Sequence, residues 1–363
     1  KEASELKIAI TGLVNSGKTT IFNALTGLSL ETSIYPSTPS EPHPGLVKVP
    51  DIRIDALSKI YKPKKTTYST VEYTDFIGIS KGGLLQNRKS FDAIKDADAL
   101  VETIRVFKDE SVVHQENSTD PVRDAINVEM ELIFADFDLV EKRITKMEDG
   151  SKRGKKPDEA EMKLLLKCRD LLEKEIPLRA AEFLETELKG LRHLQFVSIK
   201  PKIIVLNMGE GDTEPVDIVS QISQKLKLPP QFIMPVYGKI EMEIGQLPPD
   251  EAKEFLDELK IEEPALNKLI RASYALLGLI SFLTSGQDEV RAWTIRGGST
   301  ALEAAGKIHS DIERGFIRAE VVSYTDFMAA GTMADARKAG TVRLEGKNYV
   351  VNDGDIVNFR FNV

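Results

Sequence analysis

Cysteine is nearly absent. Cys168 stands alone among 363 residues, which excludes an intrachain disulfide and a cysteine metal cluster and suits a reducing cytoplasm. Histidines are few, and His43, His193 and His309 lack the spacing of metal ligands. No apolar run is long enough to cross a bilayer, the longest reaching only from Ala275 to Leu283. No basic-then-apolar signal pattern opens the chain. Basic residues are not in excess: 49 Lys and Arg face 57 Asp and Glu, a net charge of −8. That balance excludes a generally basic nucleic-acid binder, though not a local basic patch. Repeats and low-complexity tracts are missing. What remains is 41% hydrophobic and 29% charged, a composition suited to a soluble globular protein of two or three domains.

Against that background, Gly12-Leu13-Val14-Asn15-Ser16-Gly17-Lys18-Thr19 fits G-x-x-x-x-G-K-[ST], the phosphate-binding loop. Lys7–Thr11 before it reads as a short buried strand, and the residues from Thr20 to Leu25 read as the start of a helix. A strand, a glycine-rich turn and a helix N-terminus aim backbone N–H groups at a polyphosphate. The expected nucleotide contacts are therefore Asn15, Ser16, Gly17, Lys18, Thr19 and Thr20. Lys18 should reach the β- and γ-phosphates, and the Thr19 hydroxyl should ligate Mg²⁺.

Strand-like runs at Ser69–Thr74, Leu100–Val106, Lys202–Leu206 and Gln231–Val236 alternate with helical segments, which predicts a parallel α/β sheet covered on both faces. The stretch between these parts is charged and helical. Ile133, Phe137, Val140, Ile144 and Met147 form one apolar stripe, and Met162, Leu165, Cys168 and Leu172 form another after a break at 150–157. Pairing of the stripes predicts an inserted antiparallel coiled-coil hairpin, with Cys168 as a small core residue on the seam. Toward the end, Val342–Val351 reads as a hairpin, Val357, Phe359, Phe361 and Val363 as one side of a strand, and Ala301–Ile308 as a helix. A small α+β module follows from these.

Two further motifs bear on the nucleotide. Asp75-Phe76-Ile77-Gly78 fits D-x-x-G at a strand end, about 60 residues past the phosphate loop. In switch NTPases such an aspartate holds Mg²⁺ and the glycine N–H senses the γ-phosphate, so Asp75 and Gly78 join the site. Asn207-Met208-Gly209-Glu210 occupies the place of the guanine reader N-K-x-D. An aspartate there accepts from guanine N1–H and N2–H₂, and the extra methylene of Glu210 spoils that geometry. Met208 can pack its thioether on a base face. These changes favour ATP over GTP.

Taken together, the loop Gly12–Thr19, Asp75–Gly78, Asn207–Glu210, Pro235–Glu241 with its Gly238, and the C-terminal stretches Val290–Thr294, Gly315–Val321 and Asn358–Val363 resemble the YchF-type NTPases of the Obg group, across essentially the whole chain. The resemblance implies a Ras-like G domain, a hairpin insertion and a C-terminal ubiquitin-like β-grasp module of the TGS type. The domain limits that follow are 1–128 and 198–280 for the G domain, 129–197 for the hairpin and 281–363 for the TGS-like module. It also implies ATP preference, association with ribosomes or ribosomal RNA, and Gly238 beside the base.

The residue after D-x-x-G, a water-orienting glutamine in Ras-like enzymes, is Ile79. The resemblance implies this apolar replacement and slow intrinsic hydrolysis. It offers two substitutes: Asn15, which in related NTPases helps hold a K⁺ ion beside the phosphates, and His114, which matches a family histidine in a loop that could reach the water. In the first switch the family pattern is Tyr-Pro followed by Ala-Thr. Here Pro39 takes the threonine position, leaving Thr38 or Ser40 to complete the Mg²⁺ shell. Lys152, Arg153, Lys155 and Lys156 at the hairpin tip form a candidate RNA phosphate contact. The expected protein is a cytoplasmic, monomeric ATPase that switches on or near ribosomes. The rivals are a GTP-specific ribosome-assembly factor and a nucleotide-gated adaptor with incidental hydrolysis.

Overall fold

The computed structural model describes residues 6–30, 43–76, 78–154, 156, 158–258 and 261–362. Its strands are β1 (Lys7–Thr11), β2 (His43–Lys48), β3 (Lys65–Thr67), β4 (Thr70–Asp75), β5 (Ala99–Arg105), β6 (Lys202–Asn207), β7 (Ile233–Val236), β8 (Leu279–Ser285), β9 (Glu289–Arg296), β10 (Phe316–Ser323), β11 (Arg343–Glu345) and β12 (Asp355–Phe361). They form two six-stranded sheets, β2-β4-β1-β5-β6-β7 and β11-β10-β12-β8-β9-β3. The chain divides into two compact units. One comprises Leu6–Leu46 and Glu72–Leu269, and the other Val47–Val71 with Ile270–Val363.

In the first unit β1 pairs in parallel with β4 and β5, β5 with β6, and β6 with β7. Every residue of β5 and β6 is buried, as expected for strands covered on both faces. The strand order reverses around β1, and in such sheets ligands bind beyond the C-terminal strand ends at that switch point. The phosphate loop leaves β1 there. Lys202 of β6, fully buried, donates from Nζ to Glu102 of β5 at 2.7 Å and also to Glu129. Arg179 donates to Glu129 as well. Burial pushes the Glu102 carboxyl above its ordinary range against the pull of Lys202. Burial opposes ionisation of Glu129 too, but Lys202 and Arg179 together hold it below its ordinary range.

A long helix, Pro121–Lys152, follows β5. Asp120 caps it by accepting from the Arg123 N–H at 3.1 Å, and Pro121 fills the first turn, where its missing N–H costs nothing. This start lies upstream of Glu129, where the charged stretch begins. A second helix, Glu159–Glu173, runs back along it: Arg143 bonds Glu161 through Nε at 2.7 Å and Nη2 at 3.0 Å, and Arg169 reaches Glu141. Both apolar stripes enter one core, with Ile133, Val140, Ile144, Leu165, Cys168 and Leu172 buried and Phe137, Met147 and Met162 packed at its margin. Burial drives the Cys168 thiol up to about 12, so it stays a neutral packing group.

In the second unit the helix Ala301–Ile308, capped by Thr300, covers one sheet face against Phe282, Val357 and Phe359. The other face receives Ile54 and Leu57 of the helix Ile52–Tyr61, together with Phe327 and Ala336. Val47–Val71 therefore clusters with the C-terminal residues, and β3 pairs in parallel with β9. The expected hairpin over Val342–Val351 does not form. β11 pairs instead with β10, and Val350 bridges Thr300. In β12, Val357 and Phe359 are buried as expected, while Phe361 is largely exposed and Val363 lies outside the described residues. No helix among the described residues is long and apolar enough to cross a membrane.

Candidate functional site

The phosphate loop is shaped by backbone that only glycine adopts without strain. Gly12 has φ 140°, and a Cβ there would sit 2.3 Å from the Thr103 carbonyl of β5. Gly17 has φ 92°, and its Cβ would sit 2.1 Å from Asn207 Nδ2. Gly17 also caps the helix Lys18–Thr26 without any side-chain hydrogen bond, so the first N–H groups of that helix are left for an anion. The loop therefore has the form the sequence predicts. Thr20 follows Thr19 on the same first turn, half-buried.

Lys18 is buried, and its ammonium donates to the Leu13 carbonyl at 2.9 Å, folded over the loop. Burial lowers its pKa to about 8, with Asp75 pulling the other way. Thr19 Oγ1 donates to Asp75 Oδ2 at 2.8 Å. Burial raises the Asp75 carboxyl, opposed by that bond and by Lys18 and His43. Asp75 Oδ1 and Ser16 Oγ are buried and without a hydrogen-bond partner among the described residues. A hydroxyl beside an under-satisfied carboxylate, both oxygen donors next to an anion cradle, fits a hard cation such as Mg²⁺ held with phosphate and water. Gly78 completes this wall: a Cβ there would lie 2.9 Å from Lys18 Nζ. Ile79 turns inward. Its N–H bonds the Gly12 carbonyl at 2.9 Å, and its side chain is fully buried with Leu13 and Phe91.

The expected base-reading residues divide. Asn207 Nδ2 donates to the Ser16 carbonyl at 3.1 Å, and its Oδ1 accepts from the Gly238 N–H at 3.3 Å. Asn207 thus clamps the phosphate loop to the turn after β7. Gly238 is required there, since a Cβ would lie 2.7 Å from Asn207 Oδ1. Glu210 is exposed at the turn. Met208 does not face a base: it is 3% exposed and packs with Ile104, Ala125 and Leu206, so its expected stacking role is corrected to a core role. Phe107, which no motif marks, also stands beside the phosphate loop. Its ring edge lies 3.8 Å from the position a Cβ of Gly17 would take and sits under the Arg105 guanidinium at 4.5 Å, while its own Cβ lies 3.1 Å from the corresponding position at Gly209. Arg105 in turn donates to the carbonyls of Phe107, Asp109 and Val112 and so shapes the loop. The available signal was position alone, an aromatic just beyond the C-terminal end of a central strand.

Asn15 and His114 sit at opposite ends of one linkage. Asn15 Nδ2 donates to the Val113 carbonyl at 3.0 Å. His114 Nε2 lies 2.8 Å from Asp124 Oδ2, and its Nδ1 accepts from the Glu116 N–H at 3.1 Å. Those partners assign the neutral Nε2–H tautomer and occupy both ring nitrogens. His114 is thus engaged with the long helix rather than with the loop opening. Thr38, Ser40 and Pro39 lie outside the described residues, as does Lys155. Lys152 pairs with Asp149 at 3.1 Å, and Arg153 and Lys156 are exposed at the hairpin tip.

Comparison with known proteins bears on this geometry. Residues 7–135 match a family model described as a 50S ribosome-binding GTPase. Residues 279–362 match the YchF-GTPase_C model, described as a protein of unknown function. A Bacillus subtilis relative named ribosome-binding ATPase YchF is 43% identical over 99% of this chain and 100% of its own length. One of the same name from Escherichia coli O157:H7 is 39% identical over 98% and 99%. The solved structure of the Schizosaccharomyces pombe YchF GTPase superposes with a TM-score of 0.84 at 29% identity, covering 99% of both chains.

Proposed function

The chain belongs to the YchF family, and on that premise we propose that it is a cytoplasmic P-loop ATPase that binds ribosomes and uses nucleotide as a conformational switch. The observation that carries the chemistry is the Lys18–Thr19–Asp75 constellation, with a buried carboxylate oxygen that has no partner among the described residues beside a helix N-terminus without a side-chain cap. The Lys18 ammonium leaves the Leu13 carbonyl for the β- and γ-phosphates, whose charge offsets its desolvation. Thr19 and Asp75 hold Mg²⁺, which supplies charge neutralisation at the phosphates when bound. The Gly78 N–H senses the γ-phosphate. Asn15 is available to a K⁺ ion once it releases Val113.

Adenine rather than guanine is supported by the buried Met208 where the guanine reader has lysine, and by Glu210 where it has aspartate. Phe107 offers the ring a flat apolar neighbour. The paired helices are read as a coiled-coil hairpin over 129–197, the residues 281–363 as a TGS-type β-grasp module, and 1–128 with 198–280 as the G domain of a monomer. Lys152, Arg153, Lys155 and Lys156 at the tip suit ribosomal RNA phosphate. Burial of Ile79 supports a second reading, a nucleotide-gated adaptor whose hydrolysis is incidental. Titration of labelled ATP and GTP against the pure protein, with and without Mg²⁺, tests the main reading. ATP is expected to bind more tightly, and Lys18→Ala to abolish binding. Clearly tighter GTP binding overturns the adenine assignment.

A further inference from the structure

Glu131 lies in the long helix Pro121–Lys152 and is 4% exposed. Among the described residues its hydrogen-bond donors are neutral, and both come from one short segment. Oε1 accepts from the Gly82 N–H at 2.6 Å, and Oε2 accepts from Asn87 Nδ2 at 3.1 Å. That segment begins at the phosphate site. Gly78 faces Lys18, where a Cβ would lie 2.9 Å from Nζ, and the Ile79 N–H bonds the Gly12 carbonyl at 2.9 Å. Ser80 comes next, and Asn87 holds it twice. Asn87 Oδ1 accepts from the Ser80 N–H at 2.8 Å, and Nδ2 donates to the Ser80 carbonyl at 2.6 Å. Asn87 is itself buried, in the helix Leu84–Ile94. Beneath these bonds Ile79 shares a buried cluster with Val128 and Leu132 of the long helix. An unbroken run of hydrogen bonds and adjacent residues thus joins Gly12 of the phosphate loop to the first arm of the helical hairpin.

We propose that Glu131 is a positioning residue for the γ-phosphate sensor, latching the segment 80–87 to the long helix so that the Gly78 N–H is held ready at the phosphate site. The proposal rests on the nucleotide-switch reading above. Donor and acceptor chemistry selects a carboxylate for this place. Both facing groups are donors, a backbone N–H and a carboxamide NH₂, so each oxygen must accept. A glutamine would turn one oxygen into a donor and set N–H against N–H. A carboxylate buried on neutral donors is a poor choice for stability alone. Its use here is to order the sensor before nucleotide arrives, which lowers the ordering cost that γ-phosphate binding must meet. Coupling of this kind is reciprocal. What the latch adds to γ-phosphate affinity, the γ-phosphate adds to the latch, and so to the grip of segment 80–87 on the long helix. ADP, which has no γ-phosphate, gains nothing from it.

The test is calorimetry on the full chain with Mg²⁺, comparing ADP with a non-hydrolysable ATP analogue in wild type, Glu131→Gln and Lys18→Ala. Glu131→Gln should lower affinity for the analogue on the order of tenfold and leave affinity for ADP within about twofold of wild type. The wild-type chain gives a second readout that needs no variant. By hydrogen exchange, the Gly82 amide should be on the order of tenfold better protected with the analogue than with ADP. Affinities for the two nucleotides that fall together in Glu131→Gln show a merely structural role and overturn the proposal. An unchanged ratio of the two affinities also overturns it, as does equal protection of Gly82 with either nucleotide. A wild-type chain that binds neither nucleotide, or a Lys18→Ala variant that binds the analogue normally, overturns the nucleotide reading and takes this proposal with it.

Discussion

Lys202→Met removes the ammonium at the centre of the buried ion cluster while keeping its length. Lys202 and Glu102 have no side-chain exposure, so no water replaces the lost partner. Breaking one member of such a pair costs about 3–5 kcal/mol, because an uncompensated charge stays in a medium that solvates it poorly. Glu129 keeps Arg179, which leaves Glu102 as the stranded group. The response to pH follows from its carboxyl, already raised by burial and raised further without Lys202. A carboxyl whose folded value lies above its unfolded one favours the native state at low pH and costs stability as pH rises between the two values. Each unit of separation is worth about 1.4 kcal/mol. Urea unfolding followed by circular dichroism at pH 7.5 and 5 measures both effects. The deficit of the variant against wild type should be about 4 kcal/mol at the higher pH. It should be smaller at the lower, where protonation relieves the stranded carboxylate. Adding Glu102→Leu should recover most of it. A deficit under about 1 kcal/mol, or one equal at both values, would refute the reasoning.

Gly17→Ala places a methyl 2.1 Å from Asn207 Nδ2 at φ 92°, so the clamp between Ser16 and Gly238 must open. Backbone strain of about 1–2 kcal/mol and two hydrogen bonds of about 1 kcal/mol each put nucleotide affinity on the order of 100-fold lower by calorimetry, and unchanged affinity would count against the clamp. The Cys168 thiol, held at about 12, should resist an aromatic disulfide reagent at pH 8 in the native chain and react at once in urea, whereas prompt native labelling would show the hairpin seam to be open.

Much of the geometry of the candidate site was legible because its signals are local. Gly12, Gly17, Lys18 and Thr19 are adjacent in the chain, and Thr19 meets Asp75 because β1 and β4 are neighbours, as alternating strands and helices lead one to expect. The helix stripes were legible for the same reason, since period alone orients Ile144 and Leu165 inward. What escaped depends on distant partners. Met208 looked like a base contact, yet it is buried in a cluster that includes Ala125 of the long helix. Val342–Val351 has the look of a hairpin, yet β10 and Thr300 offered better partners than the run offered itself. The three-residue strand Lys65–Thr67 carries too little pattern to reveal that it would extend the C-terminal sheet. Phe107 carries no motif, and only the fold brings it to Gly17.

The long helix has a mechanical consequence. Its 32 residues span about 48 Å. Asp124, in its first turn, grips His114, whose chain neighbour Val113 gives its carbonyl to Asn15 of the phosphate loop; Lys152 lies at the far end. A rigid rod with its pivot at one end multiplies angle into travel, so a tilt of about 5° at the His114 end would carry the tip through about 4 Å. That is the diameter of a side chain, reached from a movement at the pivot no larger than the making and breaking of one hydrogen bond.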